Sequence, residues 1–217
     1  MFVGFSVSNY LSFKTTQTIS MAASKVARHK EHVLNGNGKK ILKTGLIYGA
    51  NAGGKSNLIK AIDFSRDVIL NGLSAADLDK KYFRISGDGY KVPGVFEYRL
   101  ITQPGREYSY GIAISYAEKE ILSEWLIRIE KNGGETYIFN RDTNERGESF
   151  TESEVKIRNT AERMRWEIYL EDFGGNISNT LRKKSILCDI AERGNGKQSV
   201  FSEIQDVFDW FRNMIII

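Results

Sequence analysis

The chain has 217 residues, 41% of them hydrophobic and 12% aromatic, enough to bury a substantial core in one domain or one and a half. Thirty-one basic against twenty-seven acidic side chains leave a net charge of +4, a mild excess that permits contact with nucleic acid without arguing for it. The single cysteine, Cys188, excludes an intramolecular disulfide and fits a reducing cytoplasm, and no apolar run approaches the length of a membrane-spanning helix or a signal peptide.

In chain order, apolar residues alternate from Phe2 to Phe13, which predicts a strand, a turn near Asn9, and a second strand through Thr18, Ile19 and Met21. The polar, basic stretch Ala22 to Lys40 reads as a loop with a short helix near Val26, punctuated by Asn35-Gly36-Asn37-Gly38. A short apolar run, Ile41 to Tyr48, predicts a strand that ends in a glycine-rich loop. A helix should follow from Lys55 to about Asn71, with Leu58, Ile59, Ile62 and Ile69 at helical spacing and Gly72 as its stop.

From Phe83 to Asn140 the period changes to two. Strands are expected at 95–100, 108–116, 121–130 and 136–139, joined by turns at Pro104-Gly105, Ala117-Glu118-Lys119 and Asn132-Gly133-Gly134, an antiparallel meander rich in aromatics. Beyond Phe150 the pattern turns helical. Thr151-Glu152-Ser153-Glu154 reads as a capping box opening a helix to about Tyr169; further helices are expected at 179–192 and 199–214. The expected division is a nucleotide-binding lobe with an antiparallel β subdomain over 1–150, and a helical segment over 151–217 that continues into a larger fold; the closing run Met214 to Ile217 is apolar for a terminus.

The chemistry lies in Gly49-Ala50-Asn51-Ala52-Gly53-Gly54-Lys55-Ser56, which meets the pattern G-x-x-x-x-G-K-[ST] in full, between a predicted strand and a predicted helix. Phosphate is held by backbone N–H groups in a concave nest that side chains would block, hence Gly53 and Gly54, with Gly49 opening the motif. The loop delivers phosphates to a helix N-terminus, where orphan N–H groups and the dipole favour negative charge. Lys55 supplies a mobile cation for the β- and γ-phosphates, and the Ser56 hydroxyl a ligand for magnesium. Asn51 and Asn57 complete the expected phosphate-binding set.

The segment from Gly49 to Ile62, with its Asn51 and its Ser56-Asn57-Leu58 followed by Ala61-Ile62, resembles the Walker A segment of ABC-type ATPases of the SMC group. The opening Phe5 to Phe13 resembles that group's first strands, where an Asn-Phe-x-Ser-Phe element precedes the nucleotide loop. Together they make the chain similar to the N-terminal lobe of ABC-type, SMC-like AAA ATPases of bacterial anti-phage and abortive-infection systems, with Gly53 where Ser is usual. The resemblance is strong over residues 1–70 and weakens towards the helical end.

The resemblance implies an α/β fold of α+β character: a P-loop NTPase lobe with a mixed sheet, the aromatic meander and C-terminal helices. The Walker strand would lie between Phe2–Val7 and the meander. It implies ATP and magnesium as cofactors, and it puts Asn9, Ser12, Phe13 and Lys14 on the base or ribose side. It also implies a homodimer or higher oligomer that sandwiches nucleotide, with a partner effector such as a nuclease.

An ABC-type ATPase further needs a signature Ser-Gly motif, an apolar strand ending in Asp-Glu, and a switch His. The closest match to that strand end, Ser185 to Ile190, lacks the Glu and has helical periodicity; the two histidines, His29 and His32, lie in the early polar loop. The chain is therefore expected to bind ATP and to need a second half or partner for hydrolysis. The alternative is a non-hydrolysing nucleotide sensor or interaction module. GTP is disfavoured by the absence of an Asn/Thr-Lys-x-Asp motif. His29-Lys30-Glu31-His32 reads as a solvated loop, because Arg28 and Lys30 repel cations and further ligands are lacking. The basic runs Lys39-Lys40 and Arg182-Lys183-Lys184 read as exposed faces, and Cys188, among Ile186, Leu187 and Ile190, as a core residue.

Overall fold

The computed structural model describes residues 1–24, 29–51, 53–73, 76–85, 87–144, 146–193 and 199–216. The short helix expected near Val26 falls outside the described residues.

The described residues form nine strands and five α-helices: β1 Phe2–Ser8, β2 Gln17–Ser20, β3 Val33–Gly36, β4 Lys39–Leu42, α1 Lys55–Asn71, β5 Gly94–Ile101, β6 Glu107–Ser115, β7 Glu120–Ile129, β8 Glu135–Thr143, β9 Ser149–Glu152, α2 Thr160–Asp172, α3 Asn179–Arg182, α4 Ile186–Arg193 and α5 Ser199–Arg212. Seven strands form one sheet in the order β2-β1-β5-β6-β7-β8-β9, and β3 and β4 form a separate hairpin. The α/β class, the aromatic meander and the C-terminal helices agree with the sequence reading. Each ladder is antiparallel, so the large sheet is antiparallel where a mixed one was expected.

One strand expectation fails. The run Ile41 to Tyr48 is strand only as far as Leu42; residues 44–50 have no regular structure. Leu46, Ile47 and Tyr48 are 73%, 49% and 84% exposed. The run does not lie between β1 and the meander, because β1 pairs directly with β5. Without a strand on either side, its backbone groups have no ladder to join.

Alternation along the strands sends Phe5, Val7, Phe96, Tyr98, Leu100, Tyr108, Tyr110, Ile112 and Leu126 to one face, all buried. Helix α1 covers that face with Leu58, Ala61, Val68 and Ile69, and α5 with Phe201, Ile204, Val207 and Phe211. The Tyr98 hydroxyl joins the two layers, 2.7 Å from Ser65 Oγ and donating to Ile62 O at 2.9 Å. A single apolar cluster runs from Phe5 to Phe211, so residues after 150 share the core of those before it. Arg66 of α1 donates to Phe211 O and Arg212 O, satisfying carbonyls at the C-terminal end of α5.

Three further expectations are corrected. The capping-box residues 151–154 do not open a helix: β9 ends at Glu152, and Ser153 ties α2 to the sheet by donating to Ile138 O and accepting from Trp166 Nε1. The working cap is Asn159, whose Oδ1 accepts from Glu162 N at 3.0 Å. The helix expected at 179–192 is broken into α3 and α4, because Ser185 caps α4 through Cys188 N and donates to Ile69 O. The break lets Leu73 N donate to Lys183 O at 2.7 Å beside Gly72, where a Cβ would stand 2.9 Å from that same oxygen. The polar stretch read as a loop contains the β3–β4 hairpin, whose turn residues Asn37 and Gly38 both have positive φ (48° and 76°), as a tight hairpin turn demands.

A buried ion pair fixes α4 to the sheet. Glu124 of β7 accepts from the Tyr110 hydroxyl and from Ile186 N in the first turn of α4. Arg141 Nη2 of β8 lies 3.2 Å from Glu124 Oε2, near enough for an ion pair though misaligned for a hydrogen bond, and both side chains are fully buried. Burial pushes the Glu124 carboxyl up, and Arg141, Ile186 N and Tyr110 oppose that shift.

Candidate functional site

The site is built where α1 begins. Gly54 occupies the N-cap position with φ 85°, ψ 0°, the left-handed region, and it has no side chain to cap the helix. Asn57 N donates to Gly54 O at 3.0 Å, so Lys55 and Ser56 carry the first-turn N–H groups left for an acceptor presented at this end. A Cβ on Gly54 would stand 3.1 Å from Ser12 Oγ and 3.7 Å from the Phe13 ring. Conformation and space both call for glycine there. Gly53 N donates to Ala50 O at 3.1 Å, and a Cβ on Gly53 would lie 3.0 Å from that oxygen. The tight turn explains why glycine suits this position.

Lys55, on the first turn of α1, folds back across the loop. Its Nζ donates to Gly49 O at 2.7 Å and to Ala50 O at 2.6 Å. An ammonium has three N–H groups, so one remains for an anion in the same cradle. Gly49, Asn51 and Gly53 are exposed, as is Ser56, whose position on the first turn of the helix is the one that the motif requires of a magnesium ligand. Asn57 Nδ2 donates to Ser12 Oγ at 2.9 Å, tying the helix start to the segment after β1.

The residues expected on the base or ribose side separate into two groups. Ser12 and Phe13 adjoin Gly54 and Asn57, and Lys14 is exposed just beyond. Asn9 is buried with φ 47°, and its amide is fully engaged away from the loop. Asn9 Nδ2 donates to Gly89 O and Val92 O, and Oδ1 accepts from Phe83 N. Its carbonyl accepts from the Tyr116 hydroxyl. Asn9 therefore clamps the segment 83–92 to the sheet. No simple sequence signal separated it from Ser12, three residues on.

Among the described residues no carboxylate hydrogen-bonds to the loop or to Lys55. Asp189 is engaged elsewhere: it accepts from the Tyr169 hydroxyl at 2.9 Å and pairs with Lys184 and Arg193. Its place on α4 agrees with the helical periodicity read for Ser185 to Ile190. Cys188 is buried, and its thiol is pushed up to about 12, first by burial and then by Glu192. It is a core residue, as its apolar neighbours suggested.

Residues 46–162, more than half of the chain, match a family model described as "AAA domain, putative AbiEii toxin, Type IV TA system". The chain belongs to this family. The matched span begins just ahead of Gly49 and takes in α1, the meander and the start of α2. This AAA domain is a nucleotide-binding, ATPase-like domain, in keeping with the uncapped glycine at the start of α1. No match is found among curated proteins. Among the described residues no helix is long and apolar enough to cross a membrane.

Proposed function

We propose that this AAA domain takes ATP with magnesium on Gly49, Asn51, Gly53, Gly54, Lys55, Ser56 and Asn57, as the lobe of an ABC-type, SMC-like ATPase that needs a second half or partner for hydrolysis. The observation that carries the reading is the glycine-started helix with Lys55 folded over the loop carbonyls. Lys55 and the open N–H groups hold the triphosphate, and Ser56 Oγ holds the ion. Magnesium supplies charge neutralisation on the phosphate oxygens. Ser12, Phe13 and Lys14 lie on the side from which the base and ribose approach, with Asn9 behind them as a structural clamp.

Two observations support dependence on a partner. No carboxylate among the described residues stands at the loop to orient water, and Leu46, Ile47 and Tyr48 leave an apolar run uncovered next to it. A nucleotide sandwich between two copies, or with a complementary subunit, would cover that run and bring in the missing groups. The family description names a toxin–antitoxin setting; with the resemblance noted above, it supports a role in bacterial phage defence, in the cytoplasm, beside an effector such as a nuclease.

Titration calorimetry with MgATP tests the binding. Lys55→Ala is expected to weaken it by about 2–4 kcal/mol, the scale of a charge-assisted contact to the triphosphate; equal affinities would remove the phosphate-loop assignment. Phosphate release by the chain alone is expected to stay near the slow intrinsic range of P-loop proteins, about 10⁻⁴ to 10⁻² per second. Robust Lys55-dependent turnover by the chain alone would overturn the partner requirement. Binding without turnover under every pairing would favour the non-hydrolysing sensor.

A further inference from the structure

Three nitrogen and oxygen donors converge on the surface turn ahead of the β3–β4 hairpin. His29 has φ 59°, a left-handed conformation that turns its ring back over the 3₁₀ turn Lys30–His32. The rings of His29 and His32 stand edge to face, 5.7 Å apart between centroids, and each has a nitrogen near one carboxylate oxygen of Glu31. His29 Nδ1 lies 3.2 Å and His32 Nε2 3.4 Å from the same oxygen, Glu31 Oε1. One ligand atom from each of the three residues lies within 4.8 Å of the others.

We propose that His29, Glu31 and His32 form a binding site for a first-row transition dication, zinc by preference. Bonds of about 2.0–2.1 Å in a tetrahedral zinc site put neighbouring donors about 3.3–3.4 Å apart, close to the two separations found here. Two imidazoles and one carboxylate suit zinc, nickel or copper, and are too nitrogen-rich for magnesium or calcium. All three side chains are exposed, so an ion reaches them directly and water completes the shell. In the sequence, the cationic neighbours Arg28 and Lys30 disfavour an ion. The structure adds a carboxylate near a nitrogen of each imidazole, which offsets that charge locally.

A hydrogen bond links the turn to the segment ahead of the phosphate loop. Lys43 N donates to His32 O at 2.9 Å, and Lys43 begins the exposed run that leads to Gly49. A bound ion would hold His32 and steady the base of that run.

The chain has only these two histidines, so any signal from imidazole coordination reports on this site. The test uses the full chain, free of any affinity tag and of nucleotide. Zinc chloride titrated into the wild type is expected to bind one ion per chain. Cupric ion is expected to give nitrogen hyperfine structure in its electron paramagnetic resonance spectrum. His29→Ala with His32→Ala should abolish both signals, and Glu31→Gln should weaken zinc binding by about 10-fold or more, the scale of lost metal-site partners. Zinc should also slow amide exchange at Lys43 in the wild type alone. Zinc binding of equal strength in the double variant, or no one-to-one binding by a wild type whose circular dichroism is native, would overturn the proposal.

Discussion

Strand β6 and the run Gly45 to Tyr48 are both apolar and aromatic, yet the fold treats them in opposite ways. Tyr108, Tyr110, Ile112 and Ile114 of β6 are fully buried, with β5 and β7 hydrogen-bonded on either side. Leu46, Ile47 and Tyr48 are exposed and make no ladder. Hydrophobic side chains give a segment the capacity to be buried, but a strand is buried only where neighbours satisfy its backbone and a layer covers its face. In the body of the protein those neighbours are present, and buried polar groups such as Ser65, Tyr98, Tyr110 and Glu124 are hydrogen-bonded. At the phosphate loop the contacts are few, and the geometry rests on two glycines and one lysine.

The comparison breaks most sharply at the buried ion pair. Glu124→Ala is expected to destabilise the fold by about 3–5 kcal/mol in urea denaturation, since it strands Arg141 without a counter-charge. Replacing both partners by apolar residues of similar volume should recover much of that loss. Lys55→Ala, by contrast, should change stability by no more than about 0.5 kcal/mol while weakening nucleotide binding, because the ammonium touches only exposed carbonyls. A large stability loss in Lys55→Ala would mean that the loop is integral to the core.

Asn9→Ala sharpens the division within the sequence that precedes the loop. Three backbone groups would lose their partner and an alanine would sit at positive φ, so a cost of about 2–3 kcal/mol is expected. MgATP affinity measured below the melting transition should be unchanged, whereas a fall in affinity would return Asn9 to the base side of the site.

A smaller effect than that at Asn9 concerns Glu107, which receives Asn37, Lys39 and Arg99 and anchors the β3–β4 hairpin to the sheet. Burial alone would raise its pKa, but the three donors together hold it below the usual carboxylate value. Its contribution is therefore complete above the unfolded value and is lost as pH falls through the folded one. Glu107→Gln should cost about 1–2 kcal/mol at neutral pH, since both cations are half-exposed. Thermal melts from pH 7 down to pH 3 should show the variant losing less stability than the wild type. Parallel curves would mean that the charge is not what anchors the hairpin.

Much of the body was legible from local pattern. Period-two alternation located β5 to β8 within a few residues, and helical spacing with Gly72 gave α1 its bounds. The Asn35 to Gly38 turn signal was present, but the short strands beside it, rich in lysine and asparagine, lack alternation, so the β3–β4 hairpin was missed. The false capping box at 151–154 shows the limit of a four-residue pattern. Its residues are consumed by pairing with β8 and by Trp166, and Asn159 does the capping instead.

The sequence by itself determined the local form of the glycine-rich loop and helix start, because each of its requirements is local. A residue without Cβ at positive φ, a cation one residue on, a hydroxyl after it and a helix beyond are all set by neighbours along the chain. It also determined which faces of the strands and helices are apolar. Tertiary structure alone decided what those faces meet. It broke the helix at Ser185 by placing Ile69 O within reach, and it tied Asn9 to the segment around Gly89 and Ser12 to the start of α1. It also brought Glu31 close to two histidines and left Leu46 to Tyr48 uncovered. Each of these outcomes depends on a partner far along the chain or on a backbone turn, and neither is encoded in the spacing of residues within one element.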